Sequence, residues 1–251
     1  MAGGARWHSL GAGLLAFLLL SGCSGVRTTP DPRDPWEGYN RAMFEFNDSV
    51  DRAVLKPVAK GYRAVTPKAV DRSVTNFFAN VGDIPNAFNN ALQGKLTASL
   101  QDLNRVVYNT TFGLGGLFDV ASHMGLPRHD EDFGQTLGVW GVNAGPYFVL
   151  PILGPSTVRD AGGRVVDGWA HPLGQIDDER LAWSLAALKL IDLRADLLDV
   201  ERMVDDVAYD RYVTIRNAYL DRREFLIYDG NPPEREEDDL LRELELLESQ
   251  P

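Results

Sequence analysis

Asp34-Pro35-Trp36-Glu37-Gly38-Tyr39-Asn40-Arg41-Ala42-Met43-Phe44-Glu45-Phe46-Asn47-Asp48-Ser49-Val50 is the stretch on which the fold class turns. Trp36, Tyr39, Met43, Phe46 and Val50 recur at intervals of 3, 4, 3 and 4, which puts them in one stripe along a helix. Asp34 is placed to cap, Pro35 suits a first helical position where its missing N–H is not needed, and Glu37 stands three residues after the cap. Asn40, Arg41, Glu45, Asn47 and Asp51 populate the other faces. The helix is expected over 34–56, with a stop or kink near Pro57.

Downstream the same period persists. Thr66-Pro67 repeats the cap-then-proline pattern, and Val70, Val74, Phe77 and Val81 form the next stripe. Ile84, Phe88 and Leu92 predict a short helix closed by Gly94, and Leu96, Leu100, Leu103 and Val107 another. Ser156 is placed to cap a helix running toward His171-Pro172, and Leu181 to about Phe225 is helical in composition, with neither Gly nor Pro. Strand signals are weak and no repeat of 20–50 residues is evident. The fold class expected is all-α.

One segment breaks the pattern. Between Asp132 and Arg159 lie 26 residues without a formal charge, carrying five glycines and three prolines. Its length and apolarity suit a membrane span, but interior Pro costs about 3 kcal/mol and Gly about 1 relative to Ala, so a straight helix is ruled out. A bent Gly/Pro-rich hairpin at about 133–155 fits better. Gly134, Gly138, Gly141 and Gly145 permit close backbone contact, with Pro146, Tyr147 and Pro151 shaping the bend. Two readings stay open: a hairpin buried in a soluble helical core, or, if the domain sits in lipid, a stretch that lines or gates an opening, since irregular backbone at membrane depth must face protein or a watery cavity.

The ends of the chain constrain its location. Leu10 to Leu20 is an uncharged, Leu-rich run after a short segment bearing Arg6, too short to span a bilayer, and Leu20-Ser21-Gly22-Cys23 follows. This reads as an export signal over 1–22. Leu-Ser-Gly-Cys resembles the bacterial lipobox, which implies a lipidated N-terminus at Cys23, the one cysteine of the chain. Ser24 differs from the Asp associated with inner-membrane retention, so the sorting implied is to the outer membrane. Residues 23–33 read as a flexible lipidated tether. Residues 234–251 hold eight acidic and two basic residues, so 231–251 reads as a solvated acidic tail, with Leu240, Leu241, Leu244 and Leu247 able to form only a marginal helix.

Composition excludes several functions. With 25 Lys+Arg against 36 Asp+Glu and a net charge of −11, there is no basic stripe for a nucleic-acid backbone. Asp132-Phe133-Gly134 matches a kinase tripeptide by chance, because no nucleotide loop or catalytic-loop sequence accompanies it. Gly113-Leu-Gly-Gly opens no βαβ unit. His123, His129 and His171 stand apart from one another, no metal-ligand spacing occurs, and no catalytic residue can be named. No enzyme and no cofactor are expected.

Several blocks together resemble the VacJ/MlaA lipoprotein family: the opening Asp34–Asn47, Leu55-Lys-Pro-Val-Ala-Lys-Gly-Tyr62, Asn76-Phe-Phe-Ala-Asn80, Leu92-Gln-Gly-Lys95, Asn109-Thr-Thr-Phe-Gly-Leu-Gly-Gly116, Phe118-Asp-Val-Ala-Ser122, Glu131-Asp-Phe-Gly-Gln-Thr-Leu-Gly138, Gly145-Pro-Tyr147, Leu150-Pro151, Gly154-Pro-Ser-Thr-Val-Arg-Asp160 and Tyr228-Asp-Gly230. They run in order through a domain at 34–230. The resemblance implies a ring-like bundle of amphipathic helices around a polar channel, lying in the periplasmic leaflet of the outer membrane. It implies that mislocalised phospholipid leaves the outer leaflet through that channel for a periplasmic lipid-carrier protein, with a trimeric porin as partner. Such helices need an apolar outside and a wet inside, for which Asn40, Asn47 and Asp51 are the wet-face candidates. A periplasm-facing envelope scaffold that transports no lipid is the alternative, since periodicity alone does not separate a lipid-facing stripe from a core-facing one.

Overall fold

The computed structural model describes residues 31–233; the signal segment, Cys23, Ser24 and the acidic tail from residue 234 lie outside the described residues. The described chain is predominantly α-helical with one small β-hairpin. Helix α1 spans Glu37–Val50 and passes through a π-helical segment, Asp51–Leu55, into α2, Lys56–Val65. The expected break at Pro57 does not occur. Pro57 falls in the first turn of α2, directly after the π segment, where wider i→i+5 turns relieve the clash between a proline ring and the preceding turn.

Helix α3 spans Lys68–Leu92, so the two helices expected on either side of Val81 are one helix that runs through Pro85. Tertiary packing overrides the propensity penalty here, and Asn89 Nδ2 donates to the Pro85 carbonyl at 3.1 Å. Gly94, at φ +80°, ends the helix as expected. Helix α4 spans Leu96–Thr111, α5 Val120–His123 and α6 Phe133–Val139. Strands β1, Tyr147–Leu150, and β2, Gly154–Thr157, pair antiparallel with Tyr147 opposite Thr157. Helix α7 spans Val158–Ala170, α8 Glu179–Val207 and α9 Arg211–Ile227.

The segment 133–155 is therefore a short helix, a glycine turn and a β-hairpin that reaches residue 157. The strands were not expected, because four-residue strands leave almost no period-2 signal. The cap of α7 is Thr157, whose Oγ1 accepts the Asp160 N–H at 3.2 Å, rather than Ser156, which lies in β2. Gly134 lets α6 and α7 touch: a Cβ on Gly163 would lie 2.4 Å from the Gly134 nitrogen. In space α2 packs on α8, α8 on α3, α3 on α6, α6 on α7, α7 on β2, and β1 on α1. Apolar cores are small: Ala59, Ala195 and Leu198 between α2 and α8, and Tyr147, Val149 and Tyr212 between the hairpin, α1 and α9.

Candidate functional site

The polarity of the helices is inverted. In α4 the apolar stripe Leu96, Leu100, Leu103 and Val107 is 66, 61, 47 and 56% exposed, while Ser99, Asp102, Arg105 and Asn109 are buried. In α3, Asn80, Asp83 and Asn90 share the buried face with Ala87, whereas Val70, Ile84 and Phe88 are exposed. Trp36, just before α1, and Tyr39 and Phe46 on it also face out. Among the described residues nineteen buried side chains are polar or charged against nine hydrophobic ones, the reverse of a water-soluble interior. Exposed apolar stripes of this extent mark contact with lipid or protein.

Most of the buried charges are paired, as low dielectric favours. Arg105, wholly buried, donates to Asp83 at 3.1 Å, to both Asp119 oxygens at 3.1 Å, to Ser122 Oγ at 3.0 Å and to the Leu126 carbonyl at 2.9 Å. Burial alone would raise the Asp119 carboxyl, but bonds from Ser122, Asn109 and Arg105 bring it down to about 2. Asp160 accepts from Arg159 and Arg223 at 3.0 Å and from Tyr219 at 2.7 Å, and is held below the usual carboxylate range despite its burial.

Between α3, the 128–132 loop, the C-terminal end of α7 and α8 lies a hollow of about 520 Å³. Its wall is polar. It includes Thr75 and Asp83 from α3, Arg128 and His129 from the loop, Asp167, His171, and Lys189, Asp192 and Asp196 from α8. His129 Nδ1 sits 2.8 Å from Asp102 Oδ1, and His171 is a half-buried packing residue whose burial lowers its basicity, with Lys189 adding to that effect. Burial raises the carboxyls of Asp167, Asp192 and Asp196. Among the described residues there is no group of three His, Cys, Asp or Glu side chains that could hold a metal ion.

The site residues anticipated from sequence lie elsewhere. Asn40 is fully buried, so it is not on a wet face: its Nδ2 donates to Asp34 at 2.7 Å and to the Tyr147 carbonyl at 3.2 Å, and its Oδ1 accepts the Val149 N–H at 2.8 Å. Asn47 holds the Leu150 carbonyl and the Ile152 N–H. Asp51 is engaged by Arg194 at 2.6 and 2.7 Å. None of the three lines the hollow; a lone amide on an amphipathic helix reads the same whether it meets water or backbone. Asp34 is not a helix cap but a buried anion, bonded to Tyr212 and to Arg216 at 3.0 Å. Of the hairpin residues, Gly134 and Tyr147 are buried, Gly138 and Pro146 half-buried, and Gly141, Gly145 and Pro151 exposed on loops; none borders the hollow, although Asp132, just before them, does. Lys189, Asp192 and Asp196 were missed, and their spacing of 3 and 4 along an otherwise Leu-rich helix was the signal available.

A helical domain whose apolar side chains face outward and whose interior is built largely of polar and charged side chains defines a membrane-associated protein rather than a water-soluble bundle. Similarity to known proteins agrees. The family model for MlaA lipoprotein matches residues 32–226, and the chain belongs to that family. It is 35% identical over 242 residues to the intermembrane phospholipid transport system lipoprotein MlaA of Haemophilus influenzae, covering 92% of this chain and 96% of that one. The protein of the same description from Escherichia coli is 35% identical over 88% of this chain and 89% of its own. A solved structure described as the structural basis for maintenance of bacterial outer membrane lipid asymmetry superposes with a TM-score of 0.69 at 35% identity, over 77% of this chain and 98% of that one.

Proposed function

We propose that this chain is a non-catalytic outer-membrane lipoprotein of retrograde phospholipid transport: it removes mislocalised phospholipid from the outer leaflet and passes it to a periplasmic lipid-carrier protein. The observation that carries this reading is the inverted partition of side chains, apolar outward and polar inward, beside a hollow that charged side chains border. Moving a charged head group through hydrocarbon is opposed by desolvation, of order 20 kcal/mol per ion in the idealised limit. The charged and polar side chains of the hollow can solvate the head group while the acyl chains stay in lipid or against its apolar surface, so the local step needs no nucleotide.

The finer architecture follows from the same observation. The succession of contacts from α1 and α2 through α8, α3, α6 and α7 to the hairpin and back to α1 supports a ring-like bundle, with the hollow as its channel. Among the described residues no helix is long and apolar enough to cross a membrane. A ring lying in the periplasmic leaflet, anchored by lipid on Cys23, fits helices of that kind. One acyl chain holds weakly, at about 0.8 kcal/mol per buried CH₂, so more than one chain on Cys23 is required. The hairpin region from Gly134 to Pro151 does not border the hollow itself, so in this reading it gates the approach to it from beside Asp132, and a trimeric porin is the partner that meets the outer face.

Export of Cys23→Ala by a non-lipoprotein signal tests it. The body should still partition into bilayers, whereas a freely soluble monomer would favour the scaffold. Tethering the hairpin to α1 through engineered cysteines should block removal of outer-leaflet phospholipid; unimpaired removal after verified cross-linking would eliminate the gate.

A further inference from the structure

Helix α8 turns one edge toward the hollow, and that edge is dipolar. Lys189, Asp192, Leu193 and Asp196 lie at spacings of 3, 1 and 3, a single stripe. Four of the seven acids at the wall are already neutralised: Asp83 by Arg105 at 3.1 Å, Asp130 by Arg222 at 2.8 Å, Glu131 by Lys95 at 3.2 Å, and Asp132 by Arg223; on α7, Asp167 accepts the Phe133 N–H and the Asn89 amide instead. Asp192 is different. It is buried, and its two oxygens accept only hydroxyls, from Tyr62 and from Thr75, each at 3.0 Å. Asp196, exposed at the rim, has no cationic partner among the described residues; partial desolvation, then repulsion from Asp192 and Asp71, raises its carboxyl. Lys189 makes no ion pair among the described residues, and its surroundings lower its basicity by desolvation. On α3, across the hollow, the wholly buried Asp83 leaves Oδ1 without a hydrogen bond, with Arg128 Nε 3.6 Å away. The wall therefore offers one unpaired cation and, within two helical turns of it, two carboxylates lacking a cation.

We infer that the hollow sorts phospholipids by head group, taking those that carry an ammonium beside the phosphate in preference to net-anionic ones, with Lys189 facing the phosphate and Asp192 and Asp196 facing the ammonium. This rests on the transport reading above. A zwitterionic head group complements both signs of the stripe, whereas a head group without the amine brings its negative charge toward two carboxylates and offers nothing to offset the repulsion.

The experiment uses the full lipid-anchored chain in vesicles of equal phosphatidylethanolamine and phosphatidylglycerol, extracted in mild detergent, with the retained lipid quantified by mass spectrometry. The wild type should retain phosphatidylethanolamine enriched about threefold over the bilayer ratio, the size expected for solvent-accessible charge pairs. Asp196→Asn, at an exposed position, should bring the ratio close to that of the bilayer, as should the Asp192→Asn/Asp196→Asn double variant with its melting transition intact. Lys189→Gln should reduce the total lipid retained and keep the enrichment. Lipid retained at the bilayer ratio by the wild type, or enrichment that survives in the folded double variant, overturns the inference alone. Retention of no lipid by the wild type would overturn the transport reading, and this inference with it.

Discussion

Asn40 and Asn47 stand seven residues apart on α1, and each grips the hairpin backbone with both ends of its amide. Asn40 spans the Tyr147 carbonyl and the Val149 N–H, and Asn47 the Leu150 carbonyl and the Ile152 N–H. Each side chain does for the hairpin what a neighbouring strand would do, so the hairpin is clasped without a third strand. Because Asn40 is fully buried, Asn40→Ala strands a donor and an acceptor away from water and should cost about 3 kcal/mol. Asn47→Ala, at a partly exposed position, should cost about 1 kcal/mol. Denaturant unfolding in detergent measures both, and amide exchange at Val149 should rise in the first variant only.

Close approach of α6 and α7 makes a second, sharper contrast. A Cβ on Gly163 meets the Gly134 backbone at 2.4 Å, while one on the adjacent Gly162 meets nothing within 4 Å. Gly163→Ala should therefore destabilise by more than about 2 kcal/mol through overpacking. Gly162→Ala should be neutral or stabilise slightly, as Ala is the better helix former. Thermal melts of the two variants decide; equal melting temperatures would mean that the helices can part without penalty.

The outward stripe of α4 predicts a separation of stability from membrane affinity. Leu100→Gln should change unfolding free energy by no more than about 0.5 kcal/mol, as at any exposed site. The same substitution should weaken partition of the Cys23→Ala body into vesicles by about 1.5 kcal/mol, roughly tenfold, because a side chain that would enter lipid no longer does. Sedimentation with vesicles reads the second quantity. Unaltered partition would place α4 away from the bilayer.

Acid should release the Asp119 clasp. Its folded value, about 2, lies below the ordinary 3.8, so its stabilisation is complete above that ordinary value and vanishes as pH falls through the folded one. The contribution is about 2 kcal/mol at neutral pH. Burial raises Asp83, Asp167 and Asp192, whose contributions run in the opposite sense and favour the folded state at low pH. The measurement is therefore the difference between wild type and Asp119→Asn, followed by denaturant unfolding from pH 7 to pH 2: it should be near 2 kcal/mol at the start and close to zero at the end.

Much of the fold was legible in the periodicity. The stripes beginning at Trp36, Val70 and Leu96 all fall on helices at the expected positions. What failed were the junctions. Pro57 was read as a stop or kink and a boundary was drawn between Val81 and Ile84, yet Pro57 sits just past a π segment and one helix, α3, runs on through Pro85, because packing can offset a local penalty that is only a few kcal/mol. A bend at 133–155 was expected, but its strands at 147–150 and 154–157 were hidden for the opposite reason: the groups that hold them lie on α1, more than a hundred residues away. The candidate site was less legible still. Lys189, Asp192 and Asp196 are ordinary charges on a long helix until α3 and the 128–132 loop close over them.

Sequence alone established that the chain is helical, that its helices have two unlike faces, and that it carries the blocks of its family. Periodicity does this because 3.6 residues per turn converts spacing into angle. Angle carries no information about which medium each face meets. Only the packed arrangement decided that Leu96, Leu100 and Leu103 turn outward while Asp83, Asp102 and Arg105 turn in, because inverted burial is stable only where buried charges find hydrogen-bond partners, most of them of opposite sign, and those partners converge from helices and loops far apart in the chain.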